Sequence, residues 1–177
     1  MDSRPPLPPL DLASPRLRLR EATRADQGAL QACLDGAPDY HQRTGGGPAD
    51  PGAAAALLDE AEADPLRRVL VLLPRRGGPA VGLVDLWLDQ PEPGTAHVGL
   101  LLLREAVQGQ GYGAEASAAL ERGLAAAGHG LLRLSVGDEN PGALAFWERV
   151  GYAPVGRLDG GVTLLEKVLG GGAAEGG

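Results

Sequence analysis

One segment, from His97 to Gly113, constrains the fold and the chemistry of this chain more than any other. It begins as an apolar strand, continues through a short polar bend, and then places glycines at positions 109, 111 and 113, where an alanine-rich helix begins. Glycine permits positive φ angles and a close approach of the backbone to a ligand. The first turn of a helix presents unpaired N–H groups and partial positive charge. The segment therefore predicts a site for a phosphate-bearing cofactor.

Composition and charge restrict the class of protein. A chain of 177 residues is long enough for one domain with a core of its own. Its net charge of −7, without a basic stripe, argues against nucleic acid as a partner and favours a cationic small molecule or peptide. No run approaches the ~20 apolar residues of a membrane span. We expect a cytoplasmic protein, monomeric or homodimeric, without a metal site and with its one cysteine, Cys33, packed in the core.

The chain divides into a short arm, one domain and a tail. Residues 1–15 are Pro-rich and residues 170–177 are Gly-rich, with too little apolar surface to order them, so both are predicted to be flexible. The domain, residues 16–169, is predicted to follow the order βααβββαβαββ, with a loop over 36–51 between its first two helices. A helix connects the predicted strands at 95–103 and 131–136, and a helical crossover makes such strands parallel.

Three cofactor classes compete for the glycine bend. A P-loop is excluded because no Gly-Lys-Ser/Thr sequence follows. A dinucleotide-binding fold fits Gly109, Gly111 and Ala114, but a five-residue segment separates the predicted strand end from Gly109. Too few strand–helix units follow for that fold. The third class is coenzyme A (CoA).

Two motifs carry a family resemblance that favours CoA. Residues 108–113, Gln-Gly-Gln-Gly-Tyr-Gly, match Gln/Arg-x-x-Gly-x-Gly/Ala, and residues 140–152 match Asn-x-x-Ala-x-x-aromatic-aromatic-x-x-x-Gly-aromatic. In this order, separated by one helix and one strand, they resemble the GNAT superfamily of N-acetyltransferases. Residues 17–26 also resemble the family's first strand and helix. The resemblance implies an α/β (α+β) fold with a mixed, mostly antiparallel central sheet, in which the strand ending at Leu103 splays from the strand at 131–136.

The resemblance implies that acetyl-CoA is the cofactor. Main-chain N–H groups over 109–114 would hold its diphosphate without any Lys or Arg, and its amide-rich arm would pair with free backbone groups in the splay. A backbone N–H over 101–103 would polarise the thioester carbonyl. Asn140 also fits a helix cap alone, and the two aromatic residues that follow also fit core packing alone. The implied cofactor-binding residues are Leu101, Leu102, Leu103, Gln108, Gly109, Gln110, Gly111, Tyr112, Gly113, Ala114, Asn140, Phe146 and Trp147.

The activity that the resemblance implies is acetyl transfer to the primary amine of a small molecule or peptide, by direct attack in a ternary complex. A base must first take a proton from the ammonium. Asp85 is the preferred candidate, because it is an acid within an apolar strand. His97 is a second candidate that also fits a structural role. Tyr40 and His41 are further candidates, in a loop that also fits the wall of an acceptor pocket.

The group that protonates the departing thiolate is not evident in the sequence. Family members commonly place a tyrosine seven residues after the motif asparagine for this purpose, but this chain has Trp147, whose indole donates a hydrogen bond without surrendering a proton. Ser135 stands where some relatives carry a carboxylate. A second hypothesis is therefore a non-catalytic acetyl-CoA-binding sensor or interaction module.

Overall fold

The computed structural model describes residues 6–170, which form one eight-stranded sheet with helices on both faces. Short 3₁₀ turns lie at Arg24–Asp26 and Glu105–Val107. The strands and α-helices, in chain order, are β1 (Asp11–Ala13), β2 (Leu17–Glu21), α1 (Gln27–Asp35), α2 (Pro38–Thr44), α3 (Ala53–Ala63), β3 (Arg67–Pro74), β4 (Gly82–Trp87), β5 (Thr95–Leu103), α4 (Tyr112–Ala126), β6 (Leu131–Gly137), α5 (Pro141–Arg149), β7 (Ala153–Leu158) and β8 (Val162–Val168).

The sheet has the strand order β1-β2-β3-β4-β5-β6-β8-β7, and every adjacent pair is antiparallel except β5 and β6. The parallel pair follows from the crossover through α4. This mixed, mostly antiparallel sheet confirms the fold class that the sequence predicted.

Two apolar clusters cover the two faces of the sheet. On one face, α1 and α3 bury Leu30, Leu34 and Leu58 against the central strands. On the other face, α4 contributes Leu120 and Leu124 and packs against β1, β2 and β5, and α5 packs against β6. Strands whose alternate residues enter opposite clusters are covered on both faces, so the middle of the sheet is rigid.

Cys33 lies in the cluster beneath α1 and is fully buried, as the sequence predicted. Burial raises the pKa of its thiol to about 11. The thiol therefore stays protonated at neutral pH and is inert compared with an exposed thiolate.

The amino-terminal segment differs from the predicted flexible arm over its described part. Residues 11–13 form β1, which pairs with β2, and Leu10 is only 7% exposed. The Leu10 carbonyl accepts from the Glu21 N–H at 3.1 Å, and the Leu10 N–H donates to the Glu21 carboxylate at 3.1 Å. These bonds and the burial of one leucine order a segment that its proline content alone would leave flexible. The rest of the arm, residues 1–5, and residues 171–177 of the tail lie outside the described residues.

The predicted loop over 36–51 also differs, because it contains the helix α2. The helix has proline at its first position, where the missing N–H has no consequence for hydrogen bonding. It ends at Gly45, whose N–H donates to the His41 carbonyl at 2.8 Å. This short helix places Tyr40 beside the end of the sheet where β5 and β6 separate.

The separation of β5 from β6 is the feature that opens the sheet. The two strands pair only from Thr95 with Leu131 to Val98 with Leu134. On the other side of β5, the register with β4 shifts so that Gly99 is an extra residue opposite the step from Asp85 to Leu86. Such a bulge bends the strand and increases its twist. Beyond Val98, the edge of β5 that faces β6 therefore has no strand partner, as the resemblance implied.

Candidate functional site

The glycine bend forms a backbone cradle at the start of α4. Gly109 and Gly111 have φ angles of 76° and 84°, which glycine adopts without strain. The first helical hydrogen bond runs from the Glu115 N–H to the Gly111 carbonyl at 3.1 Å. The N–H groups of the three residues between them therefore have no helical acceptor. These N–H groups are available to donate hydrogen bonds to an anion at this end of the helix.

The two glutamine side chains of the bend hold the loop together. The Gln108 amide donates to the Leu103 carbonyl at 3.0 Å, and the Gln110 amide donates to the Ala106 carbonyl at 3.4 Å. Both bonds tie the bend back to the end of β5 and to the 3₁₀ turn that follows it. The cradle therefore has a defined shape before any ligand binds.

Arg16 lies over this cradle and was not predicted from the sequence. Its guanidinium stacks on the Tyr112 ring at 4.2 Å from the ring centroid, and its Nε donates to Glu115 at 2.7 Å. Its Nη2 is 3.3 Å from the point where a β-carbon on Gly111 would lie. Only the packing of β2 beside α4 brings this residue close, so the local sequence pattern gave no signal for it.

The splay between β5 and β6 contains a cavity of about 210 Å³. Backbone and side chains of β5, β6 and α5 line it, and Tyr40 and Thr44 of α2 close one side. Of the residues that the resemblance assigned to the cofactor, Leu101, Asn140 and Trp147 line this cavity. Leu102 instead points into the cluster beneath α1.

Phe146 and Leu103 connect the cavity to the cradle. A β-carbon on Gly113 would lie 3.3 Å from the Phe146 ring and 3.6 Å from Leu103 Cδ1. Glycine at 113 therefore lets α5 and the end of β5 approach the first turn of α4. Phe146 in turn contacts Trp147, which lines the splay cavity, so the cradle and the splay are neighbours.

Asn140 and Trp147 each combine a structural role with a place in the cavity wall. The Asn140 side chain accepts from the Ala143 N–H at 3.2 Å and so caps α5. Trp147 is 7% exposed, and its ring meets the rings of Phe146 and Tyr152 edge to face, each with centroids 5.0 Å apart. Helix capping and core packing therefore fix the two side chains that border the opening.

Asp85, the base that the sequence favoured, is held in an ion pair. Its two carboxylate oxygens accept from Arg67 Nε and Nη2 at 2.9 and 2.8 Å, and both side chains are largely buried. Arg67 also pairs with Glu60. Asp85 is not among the residues that line the splay cavity. We therefore assign it to anchoring Arg67, a role that the sequence could not reveal because the partner lies on the neighbouring strand.

Tyr40 lines the splay cavity, whereas His97 lines a neighbouring cavity that shares Ser135 with it. His97 is half-buried, and burial together with the Arg133 charge lowers its pKa. Its imidazole is therefore neutral at neutral pH and free to accept a proton. Burial raises the pKa of Tyr40, which favours the protonated phenol as a hydrogen-bond donor. His41 lies with its Nε2 2.8 Å from the Leu34 carbonyl and does not line the cavity.

Glu139 is a further residue that was not predicted from the sequence. It lines the splay cavity beside Asn140, and its carboxylate lies against Gly137, where a side chain would clash with it. Its charge contributes to the raised pKa of Tyr40. The sequence signal that could have identified Glu139 is its position directly before the motif asparagine. The capping bond of Asn140 fixes this part of the chain just after the end of β6.

The described part of the chain contains neither a membrane span nor a metal cluster. None of the helices between residues 6 and 170 has the length and hydropathy to cross a membrane. Over the same range, no group of three or more His, Cys, Asp and Glu side chains is arranged to hold a metal ion.

Comparisons with known proteins agree with this architecture. The profile of the acetyltransferase (GNAT) domain matches residues 16–153. An acetyltransferase structure from Thermus thermophilus is 29% identical, with a TM-score of 0.79, over 90% of this chain and 100% of that chain. Two more distant structures, each solved with coenzyme A, share the fold. The first is the PaiA N-acetyltransferase of Thermoplasma acidophilum, which is 15% identical with a TM-score of 0.67 over 86% of this chain and 98% of that chain. The second is RimL, a ribosomal L7/L12 α-N-protein acetyltransferase, which is 16% identical with a TM-score of 0.74 over 92% of this chain and 99% of that chain.

Proposed function

The chain belongs to the GNAT family of acetyltransferases, and we propose that it transfers an acetyl group from acetyl-CoA to the primary amine of a small molecule or peptide. The observation that carries this proposal is that the glycine cradle lies next to the splay between β5 and β6, with Phe146 and Trp147 between them. A ligand with an anionic end and an amide-rich arm fits that combination, because the first needs free N–H groups and the second needs a free strand edge.

The residues present fit CoA at both ends. The first-turn N–H groups of α4 are available for its diphosphate, and the unpaired edge of β5 from Gly99 is available for the amides of its arm. Relatives with the same fold have been solved with coenzyme A, which supports this assignment. When bound, acetyl-CoA supplies the activated acetyl group, and the chain's own residues orient it and exclude water from the cavity.

The acceptor side of the proposal rests on charge. An amine is an ammonium ion at neutral pH, and the Glu139 carboxylate in the cavity wall would attract it. We propose His97 as the group that takes the proton from the ammonium, directly or through water, because the cavity that it lines borders the splay cavity at Ser135 and its lowered pKa keeps it neutral at pH 7. Tyr40, which stays protonated, would donate a hydrogen bond within the cavity.

A thiol-release assay tests the proposed function. Purified protein is incubated with acetyl-CoA and a panel of amines that includes polyamines, aminoglycosides, amino acid amides and short peptides, and free thiol is followed. Release that depends on one class of amine supports the transferase. Binding of acetyl-CoA without release for any amine would favour the sensor, an alternative that rests on the buried indole of Trp147 in place of a phenol.

The pH profile tests His97 separately. Because the pKa of His97 is lowered from its ordinary value of 6.5, the neutral base is present at pH 7 and kcat/KM should be at its maximum there. The value of kcat/KM should fall as the pH falls through the pKa of His97, below 6.5. His97→Gln should lower kcat and remove that inflection while leaving CoA affinity unchanged. An unaltered pH profile in the variant would exclude His97 as the base.

A further inference from the structure

A second cavity, of about 350 Å³, lies beside the splay cavity. It is distinct from the splay cavity but shares one residue with it, since Ser135 lines both. Its walls come from β4 and the segment after it, from β5 and β6, and from the β7–β8 hairpin, with Trp87, Pro91, Leu158 and Leu164 as its apolar part. The two cavities are therefore adjacent at Ser135, which is exposed.

The Trp87 wall is fixed from behind. Arg67 stacks on the Trp87 ring at 4.5 Å from its centroid, and Asp85 holds Arg67 with two hydrogen bonds. On its edge, the ring lies so close to Gly99 that a β-carbon there would come within 2.5 Å of Trp87 Cζ3. The buried ion pair, for which the proposed mechanism has no use, thus holds an aromatic side chain in one position.

The polar groups of this cavity carry little free charge. Arg133 donates to Glu166 through Nε and Nη2 at 2.8 and 2.5 Å. The neighbouring His97 is neutral at pH 7, because burial and the Arg133 charge lower its pKa. Apart from the uncharged Gln90 and Ser135, the surface that remains is apolar, and Leu158 is 51% exposed although leucine gains from burial.

We propose that this second cavity binds an apolar substituent, aliphatic or aromatic, on the amine that accepts the acetyl group. The inference rests on the proposed function and narrows its acceptor to amines that carry a hydrophobic group near the nitrogen. Such an acceptor places its ammonium beside Glu139 in the splay cavity, and its apolar group passes Ser135 to cover Trp87 and Leu158. Polyamines and aminoglycosides, which carry charge throughout, do not match the second cavity.

Matched acceptors test the inference. Leucinamide, phenylalaninamide and glycinamide present the same α-amine and differ only in the side chain. Burial of a leucine or phenylalanine side chain predicts kcat/KM at least about tenfold higher for leucinamide and phenylalaninamide than for glycinamide. Equal values for the three, or a preference for spermidine, would overturn the inference and leave the transferase intact.

Two variants of β7 test the location of the site. Leu158 and Val155 are equally exposed, at 51% and 52%, on the same edge strand, but only Leu158 lines the cavity. Leu158→Gln should lower kcat/KM for leucinamide about tenfold and leave that for glycinamide unchanged, whereas Val155→Gln should change neither. Equal effects of the two substitutions would refute the assignment of this cavity.

A binding measurement keeps the two proposals apart. Calorimetric titration of the CoA-loaded protein with leucinamide and with glycinamide reports occupancy without turnover. If no amine releases thiol, the proposed transferase fails, but tighter binding of leucinamide, lost in Leu158→Gln, still supports the apolar site. Equal binding of the two amides would contradict the site whatever the activity.

Discussion

Gly111→Ala separates the two reasons for a glycine in the cradle, which are backbone conformation and ligand access. Gly111 caps α4 with φ = 84°. An L-residue in this left-handed region costs about 1–2 kcal/mol. The added β-carbon would meet only Arg16 Nη2, at 3.3 Å, and that side chain is flexible enough to move. The substitution should therefore lower the free energy of unfolding by about 1–2 kcal/mol, mainly through backbone strain.

Gly160 provides a matched control, because its φ of 85° is nearly the same and no atom lies within 4 Å of the position that an added β-carbon would take. It belongs to the turn between β7 and β8, away from the cradle. Gly160→Ala should cost the same about 1–2 kcal/mol, and each variant should melt about 2–8 °C below the wild type. The strain is thus common to both variants.

Affinity for CoA should distinguish them. In Gly111→Ala the backbone at the start of α4 either shifts or keeps a methyl group where the diphosphate must approach, so at least one charge-assisted hydrogen bond is lost. Such a bond contributes about 1.5–3 kcal/mol, which corresponds to a Kd at least about tenfold weaker. Gly160→Ala should bind CoA like the wild type. Calorimetric titration well below both melting temperatures measures the difference, and equal affinities for the two variants would refute the cradle.

Two further predictions concern paired arginines. Arg16→Gln should weaken CoA binding about fivefold, because the half-exposed guanidinium of Arg16 lies over the cradle. Arg18→Gln is the control: it removes a similarly exposed arginine, paired with Asp11, and should leave the Kd for CoA unchanged. Equal titration curves for the two variants would contradict this prediction. Asp26 accepts two hydrogen bonds from Arg20. These bonds are the main reason that the pKa of Asp26 is lowered from 3.8, its value in the unfolded chain, to about 2. Its ion pair should contribute about 2 kcal/mol of stability above pH 4, and this contribution should disappear as the pH falls through about 2. Urea unfolding of wild type and Asp26→Asn across this pH range measures it, and a difference that does not depend on pH would refute the linkage.

The sequence predicted those parts of the fold and site that depend on local backbone chemistry. Gly109 and Gly111 were assigned to a turn because only glycine adopts positive φ readily, and both have it. Asn140 followed by Pro141 predicted the start of α5, and the cap hydrogen bond is present. The parallel pair of β5 and β6 followed from the connecting helix. Each of these inferences needs only neighbouring residues.

The features that the sequence did not predict depend on contacts between distant segments. β1 is ordered because Leu10 finds a buried position and Leu12 packs over Gly123 of α4, neither of which a proline-rich sequence indicates. The ion pair of Asp85 with Arg67 and the position of Arg16 over the cradle were not predicted, for the same reason. Arg67 lies on the strand beside Asp85, and the Tyr112 ring under Arg16 comes from a helix almost a hundred residues later. Side-chain pairing across a sheet is not encoded in the pattern of one strand.

The extra residue at Gly99 connects the two cavities. Because β5 bulges there, its pairing with β6 ends at Val98, and the backbone groups beyond it have no strand partner. Backbone groups of this kind need a partner from water or a ligand, which the arm of CoA would provide. The absence of a side chain at Gly99 also admits the Trp87 ring, and that ring forms the wall of the second cavity. A larger residue at 99 would therefore displace the Trp87 wall of the second cavity at the same residue where the bulge ends the pairing of β5 with β6.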